Sequence, residues 1–227
     1  MKKNKTITTV ILATILLFSC GKNEGVNKNV TIQENNASLQ EIKIGDQTWA
    51  TTNLNVSRFR NGDEIPEAKT SKEWDKAGAD GKPAWCYYDN DSANGKKYGK
   101  LYNWYAVTDV RDLAPKGWHV PTDAEWTILT DNLGGEEVAG TKIKSKSGWI
   151  ENGNGTNTSG FAGLPGGYRT DDEEFDFIGI GKSNGWWSST ESSATKAWHR
   201  GLIYILGSVG RNDNNKCMGY SVRCVKD

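Results

Sequence analysis

Histidine is nearly missing from this chain, with two among 227 residues, and cysteine and proline are sparse at four and five. Hydrolytic triads need a base, and only His119 and His199 are available; no Gly-x-Ser-x-Gly elbow accompanies them. The two histidines lie far apart and no Cys pairing or i, i+4 spacing joins them, so no zinc signature exists. Net charge is also missing: 28 basic residues balance 28 acidic ones. A nucleic-acid binder carries a concentrated basic footprint, which that balance does not supply. A mean hydropathy of -0.67 excludes a bundle of membrane spans. What is abundant is tryptophan, ten residues, and glycine, twenty-six. Aromatics at 10% of the chain bring enough buried area to argue against disorder.

The N-terminus reads as an export signal. Lys2, Lys3 and Lys5 precede the uncharged run Ile7 to Phe18, and Ser19-Cys20 follows. A basic region, an apolar region too short for a comfortable span and a small residue at the break make a secretory signal over residues 1–19. Cleavage before Cys20 removes three lysines and leaves a mildly acidic chain. Residues 20–40 are Asn-rich without aromatics, a tether that holds the following domain about 25 Å from its anchor. One domain is expected over 41–227, because Trp, Gly and charge spread along it without a second linker.

Within that domain, Ile42 and Ile44 alternate with polar residues, Gly45-Asp46 supplies a type II′ turn, and Thr48-Trp49 resumes the alternation: a β-hairpin. Thr70 with Glu73 forms a capping box ahead of a helix over Ser71 to Ala77. Leu101, Trp104, Tyr105 and Thr108 have helical spacing. Thr122 with Glu125 is a second capping box, Trp126, Leu129 and Leu133 form its buried stripe, and Gly134 ends it. Further helix is expected within Glu136 to Lys144. Gly- and Asn-rich connections follow, with strands at Trp186–Ser189, Trp198–Leu206 and Tyr220–Val225. The order predicts an α+β domain with much irregular structure.

Several segments carry a family resemblance. They include Ile44-Gly45-Asp46-Gln47-Thr48-Trp49, Trp85-Cys86-Tyr87-Tyr88-Asp89, Gly99-Lys100-Leu101-Tyr102-Asn103-Trp104-Tyr105-Ala106, Gly117-Trp118-His119-Val120-Pro121-Thr122, Leu164-Pro165-Gly166-Gly167-Tyr168-Arg169, Trp186-Trp187-Ser188-Ser189-Thr190 and Ser221-Val222-Arg223-Cys224-Val225. Together they resemble the Fibrobacter succinogenes major paralogous domain, which is typical of exported, often lipid-anchored bacterial proteins. Leu17-Phe18-Ser19-Cys20 likewise resembles a lipobox, which implies acylation at Cys20 and an outer-membrane anchor. Acyl chains contribute about 0.8 kcal/mol per buried CH₂, so three would hold the protein on the membrane permanently. Pro121 to Trp126 and Val222 to Val225 also resemble the formylglycine-generating enzyme and sulfatase-modifying-factor group. That likeness implies a C-type-lectin-like fold, with two main helices packed on small twisted antiparallel sheets and long irregular loops between Trp149 and Gly185.

The family motifs contain Cys86 and Cys224, which favours a disulfide between them; the competing pair is Cys217 with Cys224. Formylglycine-generating enzymes oxidise with copper at two nearby C-terminal cysteines. Six residues separate Cys217 from Cys224, wider than that pairing implies. His119 lies in a structural motif, and His199 follows Trp198 on a candidate strand. Asp171, Asp172, Glu173, Glu174 and Asp176 cluster beside Tyr168, where lectin-like folds keep ligand loops. Such acids suit Ca²⁺ or glycosidic chemistry, with a solvated acidic loop as the alternative. Asp89-Asn90-Asp91 begins like a calcium loop, yet Lys100 stands where a bidentate Glu belongs. Adjacent strand residues face opposite ways, so at most one of Trp186 and Trp187 reaches the main core directly, and the other needs a second layer, a cover or a ligand. The expectation is therefore a non-catalytic envelope module binding glycan or protein, without cofactor unless Ca²⁺, through Trp187, Trp198, His199, Tyr168, Asp171 and Asp172. A formylglycine-generating-like oxidase and a structural pilus or envelope component are the alternatives.

Overall fold

The computed structural model describes residues 39–171 and 176–227. The expected signal segment, Cys20, most of the tether and Asp172 lie outside them. Leu39 packs against the core and Gln40 accepts a backbone hydrogen bond from Thr51 at 2.9 Å, so the packed region includes both.

The chain opens with strands β1 (Glu41–Ile44) and β2 (Gln47–Ala50), paired antiparallel. Gly45 takes the positive φ, 60°, that the first central position of the turn requires. Helix α1 (Ser71–Ala79) starts at the Thr70–Glu73 capping box. Short strand β3 (Trp85–Cys86), helix α2 (Ser92–Tyr98), strand β4 (Leu101–Tyr102) and the one-turn helix α3 (Trp104–Val107) follow. Next come β5 (Trp118–His119), α4 (Asp123–Asn132) with the Thr122–Glu125 box, and α5 (Glu136–Ile143). The C-terminal third is β6 (Gly166–Arg169), β7 (Phe177–Ile180), β8 (Ser183–Glu191), β9 (Lys196–Ile203), β10 (Gly210–Asn215) and β11 (Val225–Lys226).

The result is an α+β domain, with five helices among the described residues where two main ones were expected. A four-stranded sheet runs β1-β2-β11-β5, a five-stranded one β10-β9-β8-β6-β7, and β3 pairs with β4. Val225 on the last strand sits opposite Trp49 on the first hairpin, which closes the two ends of the domain together. The expected helix across Leu101–Thr108 is half strand: Leu101 and Tyr102 pair with β3, and Asn103 caps only the single turn of α3. No helix of the described residues is long and apolar enough to cross a membrane.

Nine of the ten tryptophans are buried, all but Trp198. Trp186 and Trp187 point to opposite faces of β8, and both faces are covered. Trp187 enters one core with Trp85, Trp104, Trp118 and Tyr220. Trp186 enters another with Trp49, Trp126, Trp149 and Phe161. The five-stranded sheet is thus a middle layer.

A charged clamp ties β5 to α4 and to the C-terminal residue. His119 bonds Glu125 through Nε2 and Asp227 through Nδ1, both at 2.8 Å. Burial works against its charged form, but the hydrogen bonds it donates to Asp227 and Glu125 outweigh it and raise the His119 pKa. Burial likewise opposes the Glu125 carboxylate, yet bonds from Thr122 and His119 lower its pKa. The glutamate contribution is complete above its ordinary value of 4.5, and the histidine contribution is complete below 6.5. Thermal melts of wild type and His119→Gln should therefore differ most between those two values, with the gap shrinking as pH rises through the raised histidine pKa. A gap that widens toward pH 9 or so contradicts the clamp.

Candidate functional site

The middle sheet carries an open groove with a row of glycines along it. Register pairs Gly185 of β8 with Gly201 of β9, and Gly201 with Gly210 of β10. Three glycines thus lie side by side across three strands. Strand alternation puts Trp187, His199 and Asn212 on the same face, one pleat away. The glycines have different neighbours. A Cβ on Gly185 would stand 2.3 Å from the Tyr220 ring, whereas one on Gly201 would meet nothing nearer than 3.9 Å. The Tyr220 ring therefore walls one side, and the space above Gly201 is open. The groove encloses about 710 Å³.

His199 closes its inner end. The imidazole is buried and stacks on Tyr220 with centroids 4.5 Å apart and planes 10° from parallel. Trp187 braces Tyr220 edge-on at 4.7 Å, and Tyr168 packs against it at 5.4 Å. Asn214 Nδ2 donates to the Tyr220 hydroxyl at 2.6 Å. Burial, aided by the neighbouring Arg200 charge, pulls the His199 pKa down to about 4, so the ring is neutral at ordinary pH. Its Nδ1 is buried without a hydrogen-bond partner. Its Nε2 lies 4.0 Å from the point a Gly201 Cβ would occupy, at the edge of the open space.

The rim is part apolar, part amide. Ile178, Ile203 and Leu206 are exposed along it. Lys144 fixes the 203–206 turn by donating to the carbonyls of Ile203, Tyr204 and Leu206 at 2.6, 3.1 and 2.7 Å. Among the lining residues one cation, Lys182, matches one carboxylate, Asp213, which also pairs with Lys196 at 3.6 Å. Uncharged donors and acceptors beside C–H surface suit a neutral polyhydroxylated ligand. His199 makes no side-chain hydrogen bond to a serine, cysteine or carboxylate among the described residues.

Residues 42–226, which span the first hairpin, this sheet and the closing strand, match the family model described as the Fibrobacter succinogenes major domain. The chain belongs to that family. A search of curated proteins finds no match. The family description names no substrate or reaction, so function in this Fibrobacter succinogenes major domain rests on the geometry.

Two of the residues expected at the site, Tyr168 and His199, line the groove. Trp187 does not: it is fully buried beneath Tyr220, and its Nε1 donates to the Tyr102 carbonyl at 2.9 Å. Trp198 alternates to the face opposite His199, where the Arg211 guanidinium covers its ring at 3.7 Å. Arg211 is held in turn by Asp123 at 2.8 Å, beside the buried Arg200, which donates to Asp123 at 2.6 Å. Asp171 lies in a separate cleft, where it accepts from Asn215 at 2.5 Å and from Cys217 at 3.8 Å. Asp91 caps α2 by accepting from Ala93 N–H at 2.9 Å, a helix-start role in place of a calcium loop. Among the described residues no three His, Cys, Asp or Glu side chains gather as a metal site.

The disulfide expectation is corrected. Cys86, Cys217 and Cys224 are all free. Cys86 sits in the cluster of Trp74 and Tyr88, and Cys224 in that of Trp187 and Tyr220, so the two cysteine side chains are buried in different cores. Burial pushes both thiols up to about 12. Sequence reasoning missed Gly185, Gly201, Gly210, Asn212 and Asn214. Glycine inside a strand does signal a close approach of another group to the backbone, and that signal was present at Gly201, inside the expected strand Trp198–Leu206, but not at Gly185 or Gly210, which lie outside the expected strands.

Proposed function

We propose that this chain is an exported, lipid-anchored binding module of the bacterial envelope, non-catalytic, whose ligand is a neutral glycan held in the glycine-floored groove. The fold reading that accompanies it is C-type-lectin-like, supported by the capped helices and by the closure of the last strand on the first hairpin. The observation that carries the proposal is the Gly185–Gly201–Gly210 row, in which Tyr220 covers Gly185 and Asn212 flanks Gly210 while the backbone at Gly201 stays open to a flat ligand beside a neutral imidazole and the Tyr220 ring. Sugar rings offer C–H faces to such surfaces and hydroxyls to amides such as Asn212 and Asn214. Anchoring is supported by the lipobox-like Leu17-Phe18-Ser19-Cys20. An array of neutral and charged glycans probed with the unlipidated chain (Cys20→Ser) is expected to retain neutral ones. An array that is blank, or that retains only acidic glycans, contradicts the proposal. Fractionation adds a second readout: the acylated chain goes with the outer membrane and Cys20→Ala does not.

A protein ligand is the second reading, favoured by the exposed Ile203, Ile205 and Leu206 beside the groove. Envelope proteins captured by wild type, and lost with Ile205→Asp while glycans stay unbound, would select it.

A further inference from the structure

Three arginines are fully buried, and they differ in what balances them. Arg200 has Asp123 at 2.6 Å, and Arg169 has Asp176 at 3.6 Å. Arg223 has no carboxylate among the described residues. Its Nη1 donates to the carbonyls of Ala50 and Phe161 at 3.0 and 2.7 Å. Its Nε and Nη2 both donate to Asn53 Oδ1, at 3.1 and 2.8 Å. Four bonds leave one of the five guanidinium N–H groups unused. The acceptors are dipoles, the Phe161 ring faces the guanidinium at 4.2 Å, and the adjacent Cys224 thiol is neutral, so no anion supplies a formal counter-charge. Burial pulls the Arg223 pKa down to about 9, consistent with a desolvated cation that lacks an anion.

Arg223 lines a cleft of about 650 Å³. Lys96 and Lys97 stand exposed on the same cleft, and Thr51, Thr52 and Asn53 add polar groups. No Asp or Glu lines it. A cleft with three cations, one of them buried without an anionic partner, lacks the complement that a doubly charged oxyanion would bring.

We infer that this cleft binds a phosphate-type oxyanion, either free or presented by a lipid headgroup. It is separate from the glycan groove and stands whether or not that reading holds. Gln40, at the start of the described domain, also lines the cleft.

The test titrates the unlipidated full chain (Cys20→Ser) with inorganic phosphate at constant ionic strength, by calorimetry and by thermal melts. Expected are saturable binding and a midpoint that rises with phosphate but not with chloride. The surface double variant Lys96→Ala/Lys97→Ala folds as wild type and weakens binding about tenfold. Arg223→Gln removes the response; if that variant does not fold, the lysine pair alone decides. Flotation with vesicles of phosphatidic acid in phosphatidylcholine separates the sources. Vesicle binding competed away by free phosphate assigns the headgroup, and phosphate binding without flotation assigns the free anion. No phosphate-specific effect up to about 10 mM, or an effect unchanged in the lysine variant, overturns the inference.

Discussion

Trp187→Ala is expected to lower stability by about 3–5 kcal/mol, and Trp186→Ala by a similar amount, although the two side chains never meet in one core. Trp187 is fully buried, anchored to the Tyr102 carbonyl and set edge-on to Tyr220. Trp186 packs edge-on to Phe161 at 5.6 Å, and its Nε1 donates to Asn53 Oδ1 at 2.8 Å. Each truncation removes a large apolar surface and one indole hydrogen bond and leaves a cavity against a different layer. Urea denaturation followed by far-ultraviolet circular dichroism measures both. A loss below about 1 kcal/mol at either position would mean that one face of β8 is open, contrary to a middle-layer sheet.

Gly201→Leu is expected to abolish ligand binding, a loss of roughly a hundredfold or more, while the chain stays folded. The reason is local. The position has no positive φ, and a Cβ there has 3.9 Å of clearance, so the new side chain grows into the groove without displacing protein. Gly185→Ala is the contrasting change. Its Cβ would strike the Tyr220 ring at 2.3 Å, and that ring is fixed by His199, Trp187 and Asn214. It should cost about 1–3 kcal/mol of stability, read from the same urea curves, and move Tyr220. Two glycines that neighbour each other in the sheet thus separate binding from folding.

Local signals were legible where a residue type has one physical use. The Thr70–Glu73 and Thr122–Glu125 boxes start α1 and α4, and Gly45 turns the first hairpin. Tertiary pairing overrode the helical spacing of Leu101 to Thr108, because Leu101 and Tyr102 are held by β3. β10 was illegible for a different reason: Gly210-Arg211-Asn212-Asp213-Asn214-Asn215 is rich in residues depleted from strands, and only pairing with β9 makes it one. The expected strand from Tyr220 to Val225 is mostly isolated bridges, to Tyr102 and Trp186, ahead of the short β11. The candidate site divided along the same line. His199 and Tyr168 were visible as residue types, but the groove depends on three glycines brought into register from positions far apart in the chain, and register is not written in any one segment. The tryptophan excess, which suggested sugar stacking, belongs to the cores; its one half-buried member, Trp198, is covered by Arg211.

The central claim is that the glycine row is a ligand floor. Backbone amide shifts, followed by nuclear magnetic resonance while a neutral glycan retained on the array is titrated into the unlipidated chain, test it most directly. The account predicts saturable shifts concentrated at Gly185, Gly201 and Gly210, with the His199 ring responding alongside them. Shifts confined to the Asp171–Cys217 cleft, or none at saturating glycan, would contradict it.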